Sequence, residues 1–482
     1  MPALPTTATT ATIPRTGAAA GPTLATHTGP AHTGGRRLAP GRPPARVTRR
    51  SFLPRMALLA GGGVLTGACG TATGSTPADP PNAAGQPATI HYFSWGTQPR
   101  FEAEQKSLAE LQKDQPRITV EFEGVAFGEF HPKLRTMLAA GTPPDVTRVG
   151  QQDAPAFFAA GDLLALDDLM RRDRLDLAKT QVPPFEGSMH KGRYYGVPRG
   201  GAGNHAIVYN RTYFRQKGIP EPAEKWTWDD FIALGKRLTS EPNQVWAWNA
   251  AAFRNQNLWW SWLWSGGADY LSADGTRCTL DTPDAIAAVQ WMADAQNRHG
   301  ISPRPGTAPS PFTFNAQSLV MSQTGPYAIV DFEKSIGTTF DWAAVAVPRG
   351  KAGQIMSSAP NTVSITKTSK YPEQGWAMLK FFIADRIQQL EDQLGLWQPT
   401  SKALLGAPAY LTRKTPPYDM RPFVPGLQGT TRAATYVPQS AALLRDVVFK
   451  EMARAIDGQQ PARDVLPDIT KQANELLRQS PK

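Results

Sequence analysis

The sequence contains few of the residues that disulfides and metal sites require. Its 482 residues include two cysteines, Cys69 and Cys278, so at most one disulfide can form and the fold depends on a hydrophobic core. Five histidines follow residue 68, widely spaced and without a Cys-x-x-Cys or His-Glu-x-x-His motif. We therefore expect neither a zinc site nor a bound cofactor.

Long apolar runs and common catalytic signatures are missing as well. The apolar run over residues 56–68 is shorter than the roughly 20 residues that a transmembrane helix needs, and no other run approaches that length. The chain has no Gly-x-Ser-x-Gly nucleophile elbow and no Gly-x-x-x-x-Gly-Lys phosphate loop. These absences argue against a membrane-spanning protein, a typical serine hydrolase and a P-loop nucleotide-binding protein.

Lysine and acidic residues are absent from the first 68 residues, which contain eight arginines. The formal net charge of +11 would by itself suggest a nucleic-acid or anionic-membrane partner. Once those eight arginines are set aside, 43 basic and 40 acidic residues remain, so the rest of the chain is nearly neutral. We therefore expect no nucleic-acid partner and interpret the basic excess as part of an export signal.

The first 68 residues have the composition of a leader followed by a signal. Residues 1–47 are mostly Ala, Thr, Pro, Gly and Arg, which cannot bury enough surface to offset chain ordering, so we expect them to be unstructured. Arg49 and Arg50 precede the weakly apolar run, as in a twin-arginine export signal. This signal predicts an extracytoplasmic protein.

The segment after the signal predicts a membrane anchor. Residues 65–70, Leu-Thr-Gly-Ala-Cys-Gly, resemble a bacterial lipobox, which makes Cys69 the expected lipidation site. Cleavage nearby without lipidation is the alternative. Residues 69–87 are rich in Gly, Thr, Ser, Pro and Ala and predict a flexible tether between the lipid and the folded body. Lipidation would leave Cys278 without a disulfide partner.

From Ala88 onward the sequence alternates between strand and helix patterns, which predicts a parallel sheet with helices on its faces, that is, an α/β fold. The expected strands and amphipathic helices are, in order, strand 89–93, helix 101–115, strand 118–122, helix 127–140 and strand 145–149.

Several short motifs in a fixed order resemble the bacterial extracellular solute-binding proteins of the sugar-binding type, relatives of maltose-binding protein. The resemblance covers nearly all of residues 88–480, and it depends on the order of the motifs because each alone is unspecific. The motifs are Leu138–Val146, Gly161–Asp168, Tyr195–Pro198, Val208–Asn210, Trp228–Phe231, Phe314–Met321, Gly325–Tyr327 and Val345–Pro348.

The resemblance implies the two-lobed periplasmic-binding-protein fold of type II, with a hinge of two or three crossovers and a ligand cleft between the lobes. We expect lobe one at residues 88–200 and 348–410. Lobe two is expected at residues 205–345 and 415–482.

Aromatic residues are concentrated near the middle of the chain. Eight of the 13 tryptophans lie between Trp226 and Trp264. The flat C–H faces of sugars stack well on indole rings, although tryptophans at helical spacing more often pack in a core. We expect Trp226 and Trp228 to cap and pack a helix, and we leave both alternatives open for Trp259 and Trp260.

The strand ends and the matched motifs give the candidate ligand contacts. Residues that follow strands should lie at the open edge of the sheet, and Asp153 is the preferred polar contact because a carboxylate can accept two sugar hydroxyls. The candidates are Trp95, Gln152, Asp153, Asn204 near the hinge, Trp259, Trp260, Tyr327, Asn361 on the return crossover, Trp397 and Tyr436.

The resemblance and the tether together predict a monomeric receptor, attached to the membrane surface by a lipid, that captures a sugar or oligosaccharide by lobe closure. Its partner would be the membrane permease of an ABC-type importer. One alternative is an exported carbohydrate-active enzyme, which needs two carboxylates about 5 to 10 Å apart across a cleft. The other is a binding protein of the same fold for a peptide, polyamine, iron chelate or phosphate ester.

Overall fold

A computed structural model describes residues 85–183, 185–200, 203–255, 257–307, 311–358 and 361–479. The leader and signal predicted over residues 1–68, the lipidation site Cys69 and the tether up to residue 84 lie outside the described residues. In the part of the chain that is described, no helix has both the length and the hydropathy needed to cross a bilayer.

The strands of the described residues are, in chain order, β1 (Ala88–Trp95), β2 (Ile118–Val125), β3 (Val146–Val149), β4 (Met189–His190), β5 (Arg193–Tyr194), β6 (Val197–Pro198), β7 (Ala206–Asn210), β8 (Met321–Thr324), β9 (Trp342–Val345), β10 (Ile355–Ser357), β11 (Thr362–Ile365) and β12 (Thr430–Arg432).

The α-helices are α1 (Gln98–Asp114), α2 (Phe127–Ala139), α3 (Ala154–Ala160), α4 (Asp167–Arg172), α5 (Leu177–Thr180), α6 (Arg211–Lys217), α7 (Trp228–Leu238), α8 (Trp259–Ser265), α9 (Pro283–Asn297), α10 (Ile329–Ile336), α11 (Pro372–Phe382), α12 (Asp385–Gln393), α13 (Lys402–Leu405), α14 (Pro408–Leu411), α15 (Ser440–Ala442), α16 (Phe449–Ile456) and α17 (Ala462–Arg478). A π-helical turn, Leu443–Val448, connects α15 to α16.

Lobe one is built on a five-stranded sheet with the order β2-β1-β3-β11-β6. β1 pairs in parallel with β2 and β3, which confirms the predicted alternation of strands and helices, whereas β11 runs antiparallel to β3 and β6. Helix α11 covers one face of this sheet, and its Trp376 and Phe382 are buried in the same cluster as Ile90 and Tyr92 of β1. The sheet therefore holds the ends of β1, β2 and β3 along one edge.

Lobe two contains the antiparallel sheet β8-β7-β9 and most of the tryptophans. Trp226 is buried and donates from Nε1 to the Ala346 carbonyl at 2.8 Å. Thr227, directly before Trp228, and Asp230, two residues after it, form a capping box at the start of α7. The expected packing and capping role of this segment is confirmed.

Asn204 is bonded to two distant parts of the chain, one at Ser358 and one at residues 423–431. Its backbone N–H donates to the Phe423 carbonyl at 2.9 Å, its backbone pairs with Ser358, and its side-chain oxygen accepts from the Thr431 hydroxyl at 2.8 Å. The side chain is fully buried where these segments meet.

The return crossover lies later in the chain than expected. Met356 is part of the lobe-two core, and Ala352 donates from its backbone N–H to the Ser265 carbonyl at 2.8 Å. The strand β10 follows at once, so residues 348–357 pack on lobe two. The chain returns to lobe one between Ser358 and β11, ten residues or more beyond the boundary at 348 that the sequence suggested.

Candidate functional site

A cavity of about 540 Å³ lies between the two lobes. Lobe one contributes the loops that follow β1, β2 and β3, and lobe two contributes the segments around Asn257 and Tyr327. The described residues lining this cavity, hereafter the cleft, are Trp95, Gly96, Thr97, Arg100, Ala126, Phe127, Arg148, Gln151, Gln152, Gly203, His205, Asn255, Asn257, Pro326, Tyr327, Asp331, Asn361, Trp397 and Gln398.

Two aromatic side chains present open faces to the cleft from opposite lobes. Phe127 is 44% exposed and begins α2 of lobe one, and Tyr327 is 42% exposed and precedes α10 of lobe two. Large apolar side chains are normally buried, so their exposure on the two walls of one cavity indicates a surface for a flat apolar ligand face.

Arg148, on the buried strand β3, is held between two tryptophans of the cleft. Its guanidinium carbon lies 4.4 Å from the centre of the Trp95 ring and 3.4 Å from that of Trp397. Burial lowers the pKa of Arg148 to about 9, so the group remains charged at neutral pH. Trp95 and Trp397 are each only 8% exposed, and both turn a face toward this cation.

Several buried polar atoms of the cleft wall make no hydrogen bond within the described residues. They are Nε and Nη1 of Arg148, both side-chain amide atoms of Gln398, and Oε1 of Gln151. Gln398 also approaches the Tyr410 hydroxyl without reaching hydrogen-bond geometry. These atoms have almost no accessible surface even with the cavity empty, so they are enclosed in the wall of the cleft and are not ligand contacts in this arrangement.

The floor of the cleft includes a neutral histidine. His205 Nδ1 lies 3.0 Å from the Ser357 carbonyl oxygen, so the ring donates from that nitrogen. Burial lowers the pKa of His205 to about 4, and the ring is uncharged at neutral pH. It therefore adds no charge to the cleft.

Two contacts already reach from one lobe to the other. Arg100 Nη2 of lobe one donates to the Tyr327 carbonyl of lobe two at 2.8 Å. Gln151 Nε2 and Asn257 Oδ1 are 3.5 Å apart. Both pairs lie at the cleft, so they stabilise the arrangement in which its walls face each other.

Half of the sequence-predicted contacts lie together on the cleft: Trp95, Gln152, Tyr327, Asn361 and Trp397. Asn204 does not line the cleft: it is buried between the lining residues Gly203 and His205 in the chain, and its expected position near the hinge stays a prediction.

Asp153 lies outside the cleft, and its carboxylate is already engaged. It is 2.6 Å from Arg135 Nη2 and 3.4 Å from His131 Nδ1. His131 Nε2 accepts from the Gly150 N–H, so the proton of the neutral ring is on Nδ1, the nitrogen nearer to Asp153. Because the carboxylate fixes the loop after β3 to α2, we omit Asp153 from the proposed ligand contacts.

Trp259 and Trp260 also lie away from the cleft. Every residue of α8 is buried, and a helix that is apolar on all sides is inserted into a core. Trp259 contacts Phe449 edge-on at 5.3 Å and Trp260 stacks on Trp264 at 5.5 Å between ring centres. These rings are core residues of lobe two.

Tyr436 lines a different cavity, of about 910 Å³, between the β4–β5 hairpin and residues 425–436. No lining residue is shared with the cleft. We therefore also omit Tyr436 from the proposed contacts.

Sequence reasoning missed Arg148, Gln398, His205 and Phe127. Phe127 lies two residues after the end of β2, and Trp95 is the last residue of β1. The expectation that residues at strand ends line the cleft could therefore have identified Phe127 as well. Arg148 lies within the buried strand Val-Thr-Arg-Val, and a charged side chain in such a strand is unusual. This departure from the apolar pattern could have singled out Arg148 in the sequence. Gln398 and His205 give no comparable signal.

The cleft offers hydrogen bonding and stacking. Asp331 is the one carboxylate among its described lining residues. The described chain also contains no group of three or more metal-ligating side chains placed to hold an ion. The arrangement is suited to binding a ligand that has an apolar face and many hydroxyl or carbonyl groups.

Comparison with known proteins gives consistent matches. The sequence profile described as "bacterial extracellular solute-binding protein" matches residues 95–389. A putative binding protein of Brucella abortus is 24% identical over 386 residues, covering 77% of this chain and 92% of the relative.

Two solved structures are similar in fold. An ABC substrate-binding protein from Listeria monocytogenes in complex with cycloalternan superposes with a TM-score of 0.73 at 20% identity, covering 82% of this chain and 100% of that one. The sugar-binding protein MalE from Xanthomonas citri gives a TM-score of 0.69 at 16% identity, covering 81% and 98%. The expected two-lobed type II fold is thereby confirmed.

Proposed function

The chain belongs to the family of bacterial extracellular solute-binding proteins, and we propose that it is the sugar-binding component of an ABC-type importer. Members of this family are binding proteins. The open question is the ligand, and the described cleft supports a sugar or oligosaccharide.

The observation that carries this proposal is the composition of the two cleft walls. Exposed aromatic side chains lie on both lobes, at Phe127 and Tyr327, beside accessible amide side chains of the same cavity, those of Asn255, Asn257 and Asn361. A sugar ring presents C–H faces to aromatic rings and hydroxyls, which both donate and accept, at its edge. The similarity to a protein solved with cycloalternan and to a sugar-binding protein supports the same ligand class.

Binding is proposed to work by lobe closure. A ligand in the cleft would contact Phe127 and Gln152 of lobe one and Tyr327 of lobe two, so its contacts would be complete only when the lobes are together. A ligand with greater affinity for the closed state shifts the population toward it. The permease would then recognise the closed receptor.

Two observations argue against the alternative functions, a carbohydrate-active enzyme and a polyamine-binding protein. Hydrolysis of a glycosidic bond needs a pair of carboxylates across the bond, whereas Asp331 is the sole carboxylate on the described cleft wall. A polyamine would need several acidic groups, which the same wall lacks in its described part. Both points favour binding of a sugar over turnover or cation capture.

The proposed location follows from the N-terminal sequence. Arg49 and Arg50 support export through the twin-arginine route, and Cys69 is proposed to be lipidated and to hold the receptor at the outer face of the membrane. A monomer suffices for this role because both cleft walls come from one chain.

Thermal-shift and calorimetric titration of the full chain test the proposal. The panel contains maltose, maltotriose, lactose and N,N′-diacetylchitobiose, with spermidine and a tripeptide as controls. A ligand at about 100 times its Kd should add roughly 2.7 kcal/mol of stability. A shift with one sugar class and no loss of that sugar over hours supports the receptor. A shift with the controls alone would overturn the sugar assignment, and consumption of the sugar would indicate an enzyme.

A further inference from the structure

We infer that the ligand is an oligosaccharide that continues from the cleft past Asn255 into a second cavity on lobe two, where its sugar units are uncharged. This second cavity, hereafter the side cavity, has a volume of about 380 Å³. The inference rests on the proposed function and specifies the length and the charge of its ligand.

The side cavity lies against the cleft because the same segments of lobe two line both. Asn255 belongs to both cavities. At the start of α10, Asp331 lines the cleft and its neighbour Phe332 lines the side cavity. At the end of β8, Gln323 lines the side cavity and Pro326, three residues later, lines the cleft. A saccharide chain that leaves the cleft at Asn255 therefore enters the side cavity.

The side cavity has no charged side chain among its described lining residues. Its accessible polar residues carry amide and hydroxyl groups, and none of them is buried: Asn249, Asn255, Thr313, Asn315 and Ser322. Such neutral donors and acceptors match the hydroxyls of an uncharged sugar. A carboxylate, phosphate or ammonium group would be desolvated there without an opposite charge, which is unfavourable.

Two of the asparagines are held in place by the 3₁₀ helix Ala250–Arg254. Asn249 precedes this helix, and its Oδ1 accepts from the Ala251 N–H at 2.9 Å. Asn255 follows the helix, and its Oδ1 accepts from the Asn257 N–H at 2.9 Å. The Nδ2 group of each asparagine makes no hydrogen bond within the described residues. Both groups are therefore oriented donors before a ligand arrives, which lowers the entropic cost of binding.

Apolar side chains complete the side cavity. Phe332 is partly exposed and gives apolar surface to the C–H face of a sugar ring, while the small side chain of the exposed Ala251 leaves room for that ring. The volume lies within the usual range of ligand pockets, about 300 to 1,000 Å³. The cleft combines amide groups with aromatic surface in the same way, so a single saccharide chain matches both cavities.

The first test measures how affinity depends on chain length, with the wild-type full chain. Calorimetry compares maltose with maltotriose to maltopentaose, N,N′-diacetylchitobiose with its trimer to pentamer, and lactose with 4′-galactosyllactose. At least one series should gain about tenfold or more between the disaccharide and its longest member, because new hydrogen bonds form in the side cavity.

The two ways of failing are distinguishable. Equal affinity for all members of every series that binds would overturn the inference and leave the proposed function standing. No binding of any saccharide would contradict the proposed function, and the inference with it.

Tetragalacturonic acid is the anionic probe for the charge of the ligand. It should bind at least about tenfold more weakly than the longest member of the preferred neutral series, because its carboxylates would lose hydration in the side cavity. Tighter binding of tetragalacturonic acid than of every neutral chain would overturn the assignment of uncharged units, while a sugar receptor would still be supported.

The second test fills the side cavity. Ala251→Trp introduces a large side chain at an exposed position that lines the side cavity and not the cleft. The variant should lose the gain with chain length, so that the longest saccharide binds no better than the disaccharide, whose affinity stays within about threefold of wild type. Ala273→Trp is the matched control, because Ala273 is exposed and lines neither cavity. It should keep the wild-type affinity for every chain length.

Folding of both variants is checked by the ligand-free thermal midpoint and circular dichroism. A folded Ala251→Trp protein that keeps the full gain, or that loses disaccharide binding as well, would contradict the inference.

If Ala251→Trp does not fold, Asn315→Ala decides the matter. Asn315 is exposed and lines the side cavity but not the cleft. Its truncation should weaken binding of the longest saccharide about 3- to 10-fold without a matching loss for the disaccharide. Wild-type affinity for the longest saccharide would overturn the inference.

Discussion

At the scale of single residues, Phe127 and Tyr327 differ from the other aromatic side chains of the cleft because their ring faces are open. Truncating either one should reduce sugar affinity by about 1 to 2 kcal/mol, which is roughly 5- to 30-fold, through loss of stacking and apolar burial. Stability should change little, because both side chains are exposed.

Calorimetry of Phe127→Ala and Tyr327→Ala measures this effect. Leu427→Ala is the control, since Leu427 is 48% exposed and is not a cleft residue. Equal affinities for all three variants would show that the open rings do not contact the ligand.

Two buried histidines make stability depend on pH. Burial lowers the pKa of both His131 and His205 from 6.5 to about 4, so the folded state prefers the neutral rings. Between these values the unfolded chain binds more protons. The contribution is therefore complete above pH 6.5 and is lost as the pH falls toward 4.

Urea unfolding at pH 7 and pH 5 should show a loss of about 2 kcal/mol for each of these histidines at the lower pH. The His205→Asn variant should show about half of the combined loss. Wild type and His205→Asn are compared directly, because this cancels the opposing contribution of Asp392, whose pKa burial raises to about 6. Equal losses for the two proteins between pH 7 and pH 5 would contradict the burial of His205 as a neutral ring.

At the scale of secondary-structure elements, Arg199 connects three parts of lobe one. It follows β6 and pairs with Glu104 of α1 and Glu391 of α12, all of them buried. A buried ion pair is costly to break from one side because the partner charges stay behind. These three side chains, hereafter the Arg199 triad, therefore fix α1 and α12 against the lobe-one sheet.

Arg199→Met should lower the free energy of unfolding by about 3 to 5 kcal/mol. Adding Glu104→Gln and Glu391→Gln should recover part of this loss, since the stranded charges are removed. Arg171→Ala, at an exposed ion pair on α4, should change stability by less than about 0.5 kcal/mol. The free energy of unfolding is measured by urea titration. A decrease of less than about 1 kcal/mol for Arg199→Met would show that the Arg199 triad does not stabilise the fold.

At the scale of the whole molecule, the two lobes meet across the cleft. The hydrogen bond from Arg100 to the Tyr327 carbonyl joins the walls at 2.8 Å and is available only when they face each other. Removing this hydrogen bond should destabilise the closed, ligand-bound state. It should have little effect on the step in which the ligand first meets the open receptor.

Arg100→Ala should therefore speed dissociation of the sugar by roughly 2- to 10-fold, with association close to wild type. Stopped-flow fluorescence from the cleft tryptophans measures both rates. The exposed Arg117→Ala is the control, because Arg117 precedes β2, at the end of the strand opposite to the cleft residues Ala126 and Phe127, and donates to the Gly85 carbonyl. A change confined to association would contradict a role in holding the lobes together.

The sequence by itself determined the order of elements in lobe one and which strand ends form the site. Alternating apolar residues set β1, β2 and β3, and helix patterns between them required parallel pairing, which the structure confirms. The same local rule predicted that Trp95 and Gln152 would lie at one edge of the sheet. Such features depend on neighbours in the chain, so a sequence pattern is enough to predict them.

Only the tertiary structure decided which side chains face the cleft. Asp153 and Gln152 are adjacent in sequence, yet Asp153 is engaged by Arg135 and His131 of α2 while Gln152 lines the cavity. Trp95 and Trp397 come together around Arg148 from positions 302 residues apart. Side-chain direction and charge pairing depend on contacts between distant segments, which no local sequence pattern specifies.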